Sequence, residues 1–381
     1  MVKVLYVISS WGHGRGGHFY SLKTIRDAMP FESAIVNIGA LPSSVFEGDA
    51  DVHFFDVTSG IVAALRQVFA FARDGNYTHL HSFDYSSFLF ASLVSVICRI
   101  PHVHTKPGGP SPRRYHPFVK YLTLFTQEDY DYFSERSYLG HDVLAVISNR
   151  VNTFDFDDVL VRDIKQKSNG ALVLLRIARI SKEYEGSIRQ TLTLSKALNA
   201  SGVRVVPVIV GALQDQDAYV SLELEMQEAG AIVLVDDKHT LNAKKLLSCA
   251  DLVVGTGRSF MEAALVGPIL LAPSKSGEFP VLIREDNYEG FKHSNFTGRG
   301  QVDSTGDVVS AIIEIVNTPA VREDYNAFVS KVWSDDFYVG GAIEKYKEVY
   351  RSAKTSNNQI HVLLNLVFWG IRKVIGLIRG R

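Results

Sequence analysis

Cysteine is nearly absent from this chain: two in 381 residues, Cys98 and Cys249. They lie in apolar runs far apart in sequence, which fits a reducing compartment and provides neither a disulfide framework nor metal-ligand spacing; both read as buried, inert thiols. Excess charge of either sign is missing as well. Forty Lys and Arg stand against 41 Asp and Glu, a formal net charge of −1, so nothing global suggests a nucleic-acid partner and any basic site must be local. No apolar run reaches the ~20 residues that span a bilayer. The N-terminal MVKVLYVISSWGHG is read as a strand (Val4 to Ile8) running into a glycine loop, not as a signal peptide, and the expected location is cytoplasmic.

What is present is a globular composition, 46% apolar and 21% charged, in a chain too long for one ordinary core. Strand-like runs alternate with helical patterns from end to end, which predicts α/β architecture with parallel sheets. Lys3–Ile8, Ala34–Ile38, Val52–Phe55, Thr78–His81, His102–Thr105 and Asp142–Ile147 read as strands. His18–Ala28, Ile61–Arg73 and Ser86–Cys98 read as helices, and Phe118–Phe125 as another. Residues 149–169 are polar with little periodicity and are read as a hinge. The alternation then restarts with strands at Ala171–Ile177, Val205–Val210, Ile232–Val235, Leu252–Val254 and Pro268–Ala272, separated by helical patterns. The expected architecture is two facing Rossmann-like doubly wound domains, residues 1–165 and 166–335. A helix over 336–355 is expected to cross back to the first domain, followed by an amphipathic tail over 356–381.

That tail holds no acidic residue from Asn357 onward but carries Arg372, Lys373, Arg379 and Arg381. Ile360, Leu363, Leu364, Val367, Ile371, Val374 and Ile378 recur at helical spacing, with Phe368 and Trp369 among them. A basic amphipathic helix of this kind suits an anionic membrane interface, the alternative being a helix packed on the protein's own body or a partner.

Ligands of open α/β sheets bind at the carboxyl ends of the strands, so the loops there are the ones to read. The first, Ser9 to Gly17, has four glycines but matches neither the dinucleotide fingerprint nor a P-loop; it permits close backbone approach or is simply a flexible loop. The second, His102 to Pro112, places His104 and Lys106 beside a Gly-Gly turn. The lysine suits a phosphate and the histidine a proton shuttle, or both are ordinary strand-end residues. In the third, Arg176 to Gly186, alternation separates Arg176 from Arg179. Arg179 suits bidentate phosphate contact, with Lys182 within reach, though a surface ion pair among Lys182, Glu183 and Glu185 accounts for those three better than for Arg179.

The densest signal is Asp251 to Ala272, DLVVGTGRSFMEAALVGPILLA. It reads as a buried strand, a tight loop of Gly255, Thr256 and Gly257, a helix opening near Ser259, and a second buried strand. Loop amides and a helix N-terminus are suited to an anion, and Arg258 and Glu262 sit at the mouth. Ser259 and Glu262 also have the spacing of a capping box, which gives Glu262 a structural job as an alternative.

Together these stretches resemble the GT-B glycosyltransferases, specifically the large group of nucleotide-sugar-dependent enzymes (glycosyl transferases group 1, family 4-like) that build polysaccharides and glycolipids. Gly16 and Gly17 are similar to the family's N-terminal glycine loop. HLHSFDYSSFLFASLVSVICRIPHVHTKPGG resembles its D-x-x-H-x-H … P-x-V-x-T-x-H-G block, and AVISNRVNTF its hinge segment. ARISKEYEG is similar to G-R-L…K-G, and the 251–272 unit to the E-x7-E block. The resemblance covers roughly residues 1 to 350. It implies that Arg179 holds the donor diphosphate, with Lys182 as a displaced partner, and that Glu262 meets the ribose. It also implies that the loops at Gly16–Gly17 and Gly255–Gly257 give amides to donor or acceptor. Four positions depart from the pattern: Val254 stands where the first glutamate belongs, Lys106 where the catalytic-loop histidine belongs, Arg150 at the hinge glycine, and Tyr184 or Glu185 at the usual lysine.

The resulting expectation is a hexosyltransferase that uses a UDP- or GDP-sugar as substrate and a lipid-linked or polysaccharide acceptor, acting at the inner face of the membrane. No metal and no separate cofactor are expected. Two alternatives remain: a nucleotide-sugar epimerase of the same fold, and a non-catalytic partner of another transferase, which Val254 and Lys106 favour.

Overall fold

The computed structural model describes residues 2–12, 14, 16–108, 118–299, 307–355 and 360–367. The chain divides into two compact units, Met1–Asn149 together with Val339–Arg381, and Arg150–Tyr338. Both are α/β.

The first unit runs β1 (Lys3–Ser10), α1 (Gly17–Ala28), β2 (Glu32–Gly39), β3 (Val52–Asp56), α2 (Ile61–Asp74), β4 (His79–Ser82), α3 (Tyr85–Cys98), β5 (His102–Lys106), β6 (Tyr121–Leu124), α4 (Gln127–Ser134) and β7 (Val143–Val146). Its seven strands lie in the order β3-β2-β1-β4-β5-β6-β7, every neighbouring pair parallel. A sheet covered on both faces needs apolar residues at successive positions, and β1 is buried without a break from Val4 to Ser10. Val4, Tyr6 and Ile8 pack on one face with Phe19, Leu22 and Ile25 of α1. Leu5 and Val7 pack on the other with Val68 and Ala72 of α2 and Phe90, Ala91 and Val94 of α3. At the β1/β4 switch point the Asp84 carboxylate accepts the Ser9 amide (2.7 Å) and hydroxyl (2.5 Å), and it caps α3 by accepting the Ser86 and Ser87 amides.

The 118–125 stretch read as a helix contains β6 instead, parallel to both β5 and β7. Tyr121, Leu122, Thr123 and Leu124 are all buried. A run this short, rich in aromatic and β-branched side chains, is favoured as an interior strand.

In the second unit come α5 (Asp158–Lys167), β8 (Leu172–Ile177), α6 (Glu185–Ala200), β9 (Val205–Val210), α7 (Gln216–Glu228), β10 (Ile232–Leu234), α8 (Asp237–Thr240), β11 (Leu252–Val254), α9 (Arg258–Ala264), β12 (Ile269–Ala272), β13 (Val281–Leu282), α10 (Tyr288–His293), α11 (Val308–Asn317) and α12 (Pro319–Val332). Strand order is β10-β9-β8-β11-β12-β13, parallel except for β13. By position this is the doubly wound order 3-2-1-4-5-6, whose switch point falls between β8 and β11. The segment read as a hinge carries α5, whose Leu160 and Ile164 bury at i, i+4 spacing and whose N-cap Asp157 accepts the Leu160 amide. The two ends of this unit are joined: Val151 pairs in parallel with Tyr338, and the Val151 amide donates to the Phe337 carbonyl at 2.8 Å.

After residue 338 the chain forms α13 (Gly340–Ser352), which packs Ala342, Tyr346, Val349 and Tyr350 into the first unit's core. Residues 360–367 form a further helix. Its buried Asn365 bonds both backbone groups of Phe118, accepting from the amide and donating to the carbonyl, each at 3.0 Å. Ile360, Leu363, Leu366 and Val367 are left exposed. The rest of the tail, with its four cations, lies outside the described residues. Among those described, no helix is long and apolar enough to cross a membrane.

Candidate functional site

The carboxyl edge of the second sheet gathers most of the residues singled out in the sequence. Beyond β8 the chain stays paired with the chain beyond β9: Ala178 donates to Val210 and Ile180 to Ala212. This pairing demands glycine at 211, because a Cβ there would sit 1.7 Å from the Ala178 carbonyl oxygen. Arg179 leaves this paired segment with its side chain about half exposed. Its Nη2 donates to the Tyr184 hydroxyl (3.1 Å) and to Glu183 (3.4 Å), and its guanidinium lies 5.2 Å from the Tyr184 ring centroid. Lys182 is exposed, and no carboxylate among the described residues pairs with it. The sixteen-residue α6 begins immediately afterwards, with no side chain capping it.

Arg176 follows a different course. It is fully buried, donating from Nη1 to the Val254 carbonyl and from Nη2 to Ser187 Oγ, both at 2.9 Å. Alternation along β8 separates it from Arg179, as the sequence predicts, yet Tyr184 lies near both guanidinium groups, 5.9 Å from that of Arg176. Nothing in the sequence pointed to Tyr184 as the element they share.

The 255–257 loop departs from expectation. The Gly255 amide donates to Leu271 O (2.8 Å), Gly257 to Asn295 O (3.0 Å) and Thr256 to Ser259 Oγ (3.1 Å), so all three N–H groups already have protein acceptors. The capping box does not form either. Gly257, at φ +50°, takes the N-cap position, so α9 opens two residues earlier than a cap at Ser259 would place it. That displaces Ser259 into the first turn, where its hydroxyl also donates back to Thr256 O. Glu262 pairs with Arg258 instead, Nε to Oε1 at 2.7 Å, and both side chains are largely buried. Arg258 Nη1 donates to the Arg150 carbonyl, and the Arg150 guanidinium donates to the carbonyls of Asp335 and Tyr338. Lys244 completes this group. Burial lowers its pKa, with Glu262 pulling the other way, and its ammonium sits 4.8 Å from the Phe154 ring centroid. Glu262 is therefore a carboxylate set among cations.

In the first unit, Gly16 takes the N-cap position of α1 and Gly17 opens the helix, again with no side-chain cap. Gly14 adopts φ +59° with Ser43 packed where a Cβ would stand. His13, Arg15 and the Gly109–Pro112 part of the second loop lie outside the described residues. His104 and Lys106 are both in the interior. His104 Nδ1 is 2.7 Å from Ser82 Oγ, and burial, reinforced by His102 and His81, holds its pKa well below the ordinary imidazole value. Lys106 Nζ lies 2.9 Å from an Asp129 oxygen, with both side chains under 5% exposed. Neither reaches solvent here: the positions read in the sequence as proton shuttle and phosphate cation are both enclosed on β5. A hollow of about 570 Å³ lies at the carboxyl ends of α2 and α3, lined by Arg66, Arg73, Tyr77 and Cys98; it includes none of the candidate residues. Among the described residues no group of three or more His, Cys, Asp or Glu is arranged to hold a metal ion.

Two parallel-dominated sheets in this order, with the chain's last helices returned to the first unit, define a GT-B glycosyltransferase-like fold. Among solved structures it is similar to HepE of Anabaena, determined with UDP and glucose, at a TM-score of 0.68 and 16% identity over 92% of this chain and 100% of that one. A glycosyltransferase of Rickettsia africae matches at 0.59 and 11% identity, over 92% of this chain and 98% of that one. The UDP-GlcNAc 2-epimerase of Neisseria meningitidis, solved with UDP-GlcNAc, matches at 0.54 and 14% identity, over 91% and 99%. No protein-family model matches the sequence, and no curated protein matches it by sequence.

Proposed function

We propose that this chain is a glycosyltransferase that moves a hexose from a UDP- or GDP-sugar to a lipid-linked or polysaccharide acceptor of the cell surface. The observation that carries the reading is the concentration of cations, Arg176, Arg179 and Lys182, at the carboxyl edge of a doubly wound sheet beside its switch point. A diphosphate leaving group develops negative charge as the glycosidic bond breaks, and preorganised cations stabilise that charge where water is excluded. Arg179 and Lys182 are the groups assigned to this work, with the start of α6 adding amide dipoles. The 255–257 loop, its amides committed, is assigned to shaping the site rather than to holding phosphate. Glu262 keeps the ribose assignment, with Arg258 orienting its carboxylate.

Arg179→Ala is expected to weaken UDP or GDP binding by about 1.5–3 kcal/mol, the usual worth of a hydrogen bond to a charged group. Calorimetric titration giving the same affinity for both proteins would remove Arg179 from the site. The similarity to 2-epimerases favours a second reading, separated by incubating nucleotide-sugar without acceptor: an epimer appears only if the chain is an epimerase. Failure of every nucleotide, at concentrations well above typical dissociation constants, to raise the melting temperature would leave the non-catalytic reading.

We further propose that the outward apolar face of the 360–367 helix, continued by the basic tail, rests on anionic lipid. Asn365 turns inward and fixes the helix, which leaves Ile360, Leu363, Leu366 and Val367 to solvent. Deleting residues 357–381 is expected to abolish sedimentation with anionic vesicles, and Leu363→Gln with Val367→Gln to reduce it while Asn365 stays docked. Equal sedimentation of all three proteins would return the face to a protein partner.

A further inference from the structure

Arg176 is the most deeply buried cation beside the switch point, and its surroundings do not balance it. Among the described residues no carboxylate pairs with it. Its acceptors are one carbonyl and one hydroxyl, and its Nε is buried without a partner. A buried charge is ordinarily neutralised by an ion pair or replaced by an apolar residue, because desolvation is costly. Burial brings the arginine's pKa down to about 10, so it remains protonated near neutrality.

Its two bonds reach the two loops that border the site. Nη1 holds the carbonyl of Val254, the last residue before the 255–257 loop, across the β8/β11 switch point. Nη2 holds Ser187 in the first turn of α6, and the same hydroxyl donates to Tyr184 O at 2.8 Å. The guanidinium thus fixes the Tyr184 segment, on whose ring Arg179 also lies.

We infer that Arg176 is a positioning residue for the diphosphate: a cation kept without a counter-ion so that the bound pyrophosphate supplies the missing negative charge. The inference rests on the nucleotide-sugar reading above and names the residue that sets the field of that site without touching the ligand. A charge one layer beneath the anion acts through a protein medium of modest effective dielectric, and losing it is expected to weaken diphosphate binding about tenfold. Binding of the nucleoside should be unaffected.

The test is calorimetric titration and thermal melting of the wild-type chain, Arg176→Met and Arg176→Lys, with UDP, GDP, uridine and guanosine as probes. The expected result has three parts. Arg176→Met melts no lower than wild type without ligand, because an apolar side chain of similar length replaces an unpaired ion. It loses about tenfold in affinity for the diphosphate that wild type binds, and nothing for the matching nucleoside. Arg176→Lys, which restores the charge, recovers part of the loss. Equal weakening of nucleoside and diphosphate, a lower ligand-free melting temperature for Arg176→Met, or no rescue by lysine would overturn the inference and assign Arg176 to packing alone. If wild type binds neither diphosphate, the nucleotide-sugar reading fails and takes the inference with it. If wild type binds and the Arg176 variants bind equally, only the inference fails.

Discussion

Lys106→Met is expected to lower the unfolding free energy by about 3–5 kcal/mol, the range found when one partner of a buried ion pair is removed. Lys106 ends β5, and Asp129 occupies the first turn of α4, whose N-cap Thr126 accepts the Asp129 amide. Their contact at 2.9 Å is sealed from solvent. Burial alone pushes the Asp129 pKa up, and the lysine ammonium is the main influence pulling it back. Without the ammonium the carboxylate must either stay charged in the interior or take up a proton, and both cost stability. The double variant Lys106→Met with Asp129→Leu should recover most of the loss, since two apolar groups replace two charges. Denaturant midpoints of the two single variants and the double variant measure this. A loss below about 1 kcal/mol for Lys106→Met would show the pair to be solvated, like an exposed ion pair. It would then restore Lys106 as a candidate for contact with substrate.

The second large effect is on pH. His81, His102 and His104 are buried on β4 and β5, and burial lowers all three pKa values, that of His102 to about 3. Their rings are held by neutral partners. His81 lies between the Tyr350 hydroxyl (2.6 Å) and the Thr105 hydroxyl (2.7 Å), while His102 and His104 share Ser82. The folded-state pKa lies below the unfolded value near 6.5, so the unfolded chain binds more protons once the pH drops beneath 6.5. Stability is then lost progressively as pH falls from 6.5 toward the folded values. At pH 5 the His102 ring costs about 2 kcal/mol, a sizeable share of the stability of an ordinary domain, and His81 and His104 act in the same direction. Denaturant titrations at pH 7.5, 6.5, 5.5 and 5.0 measure this above the range where most carboxylates titrate. His102→Leu should flatten the slope by one proton. A midpoint unchanged between pH 7.5 and 5.0 would contradict the burial of these rings.

The alternation of strand and helix was legible because each interior strand is a short unbroken apolar run, β1 and β9 most clearly. Misreadings came where length or context decided. Phe118–Phe125 contains β6, whose four residues carry too little periodicity to be told from a turn of helix. Residues 149–169 looked polar because α5 buries only Leu160 and Ile164 fully on its inner face. At the candidate site, Arg179, Lys182 and Glu262 could be named from residue type and spacing. The commitment of the 255–257 amides could not, since the acceptor for Gly257 is the carbonyl of Asn295, far along the chain. The burial of Arg176 was equally hidden: a strand pattern gives the face of a side chain, not what closes over it.

The pairing of Val151 with Tyr338 has a consequence for how such a chain is inherited. The second unit enters and leaves the polypeptide through adjacent residues joined by a backbone bond of their own. In architecture it is a cassette inserted into a first unit whose core helix α13 is supplied only after the cassette ends. An exchange of the whole 150–338 segment for another with matching ends keeps every strand of the first sheet and every contact of α13 with it. Truncation after residue 338, by contrast, would strip the first unit of Tyr346 and Tyr350.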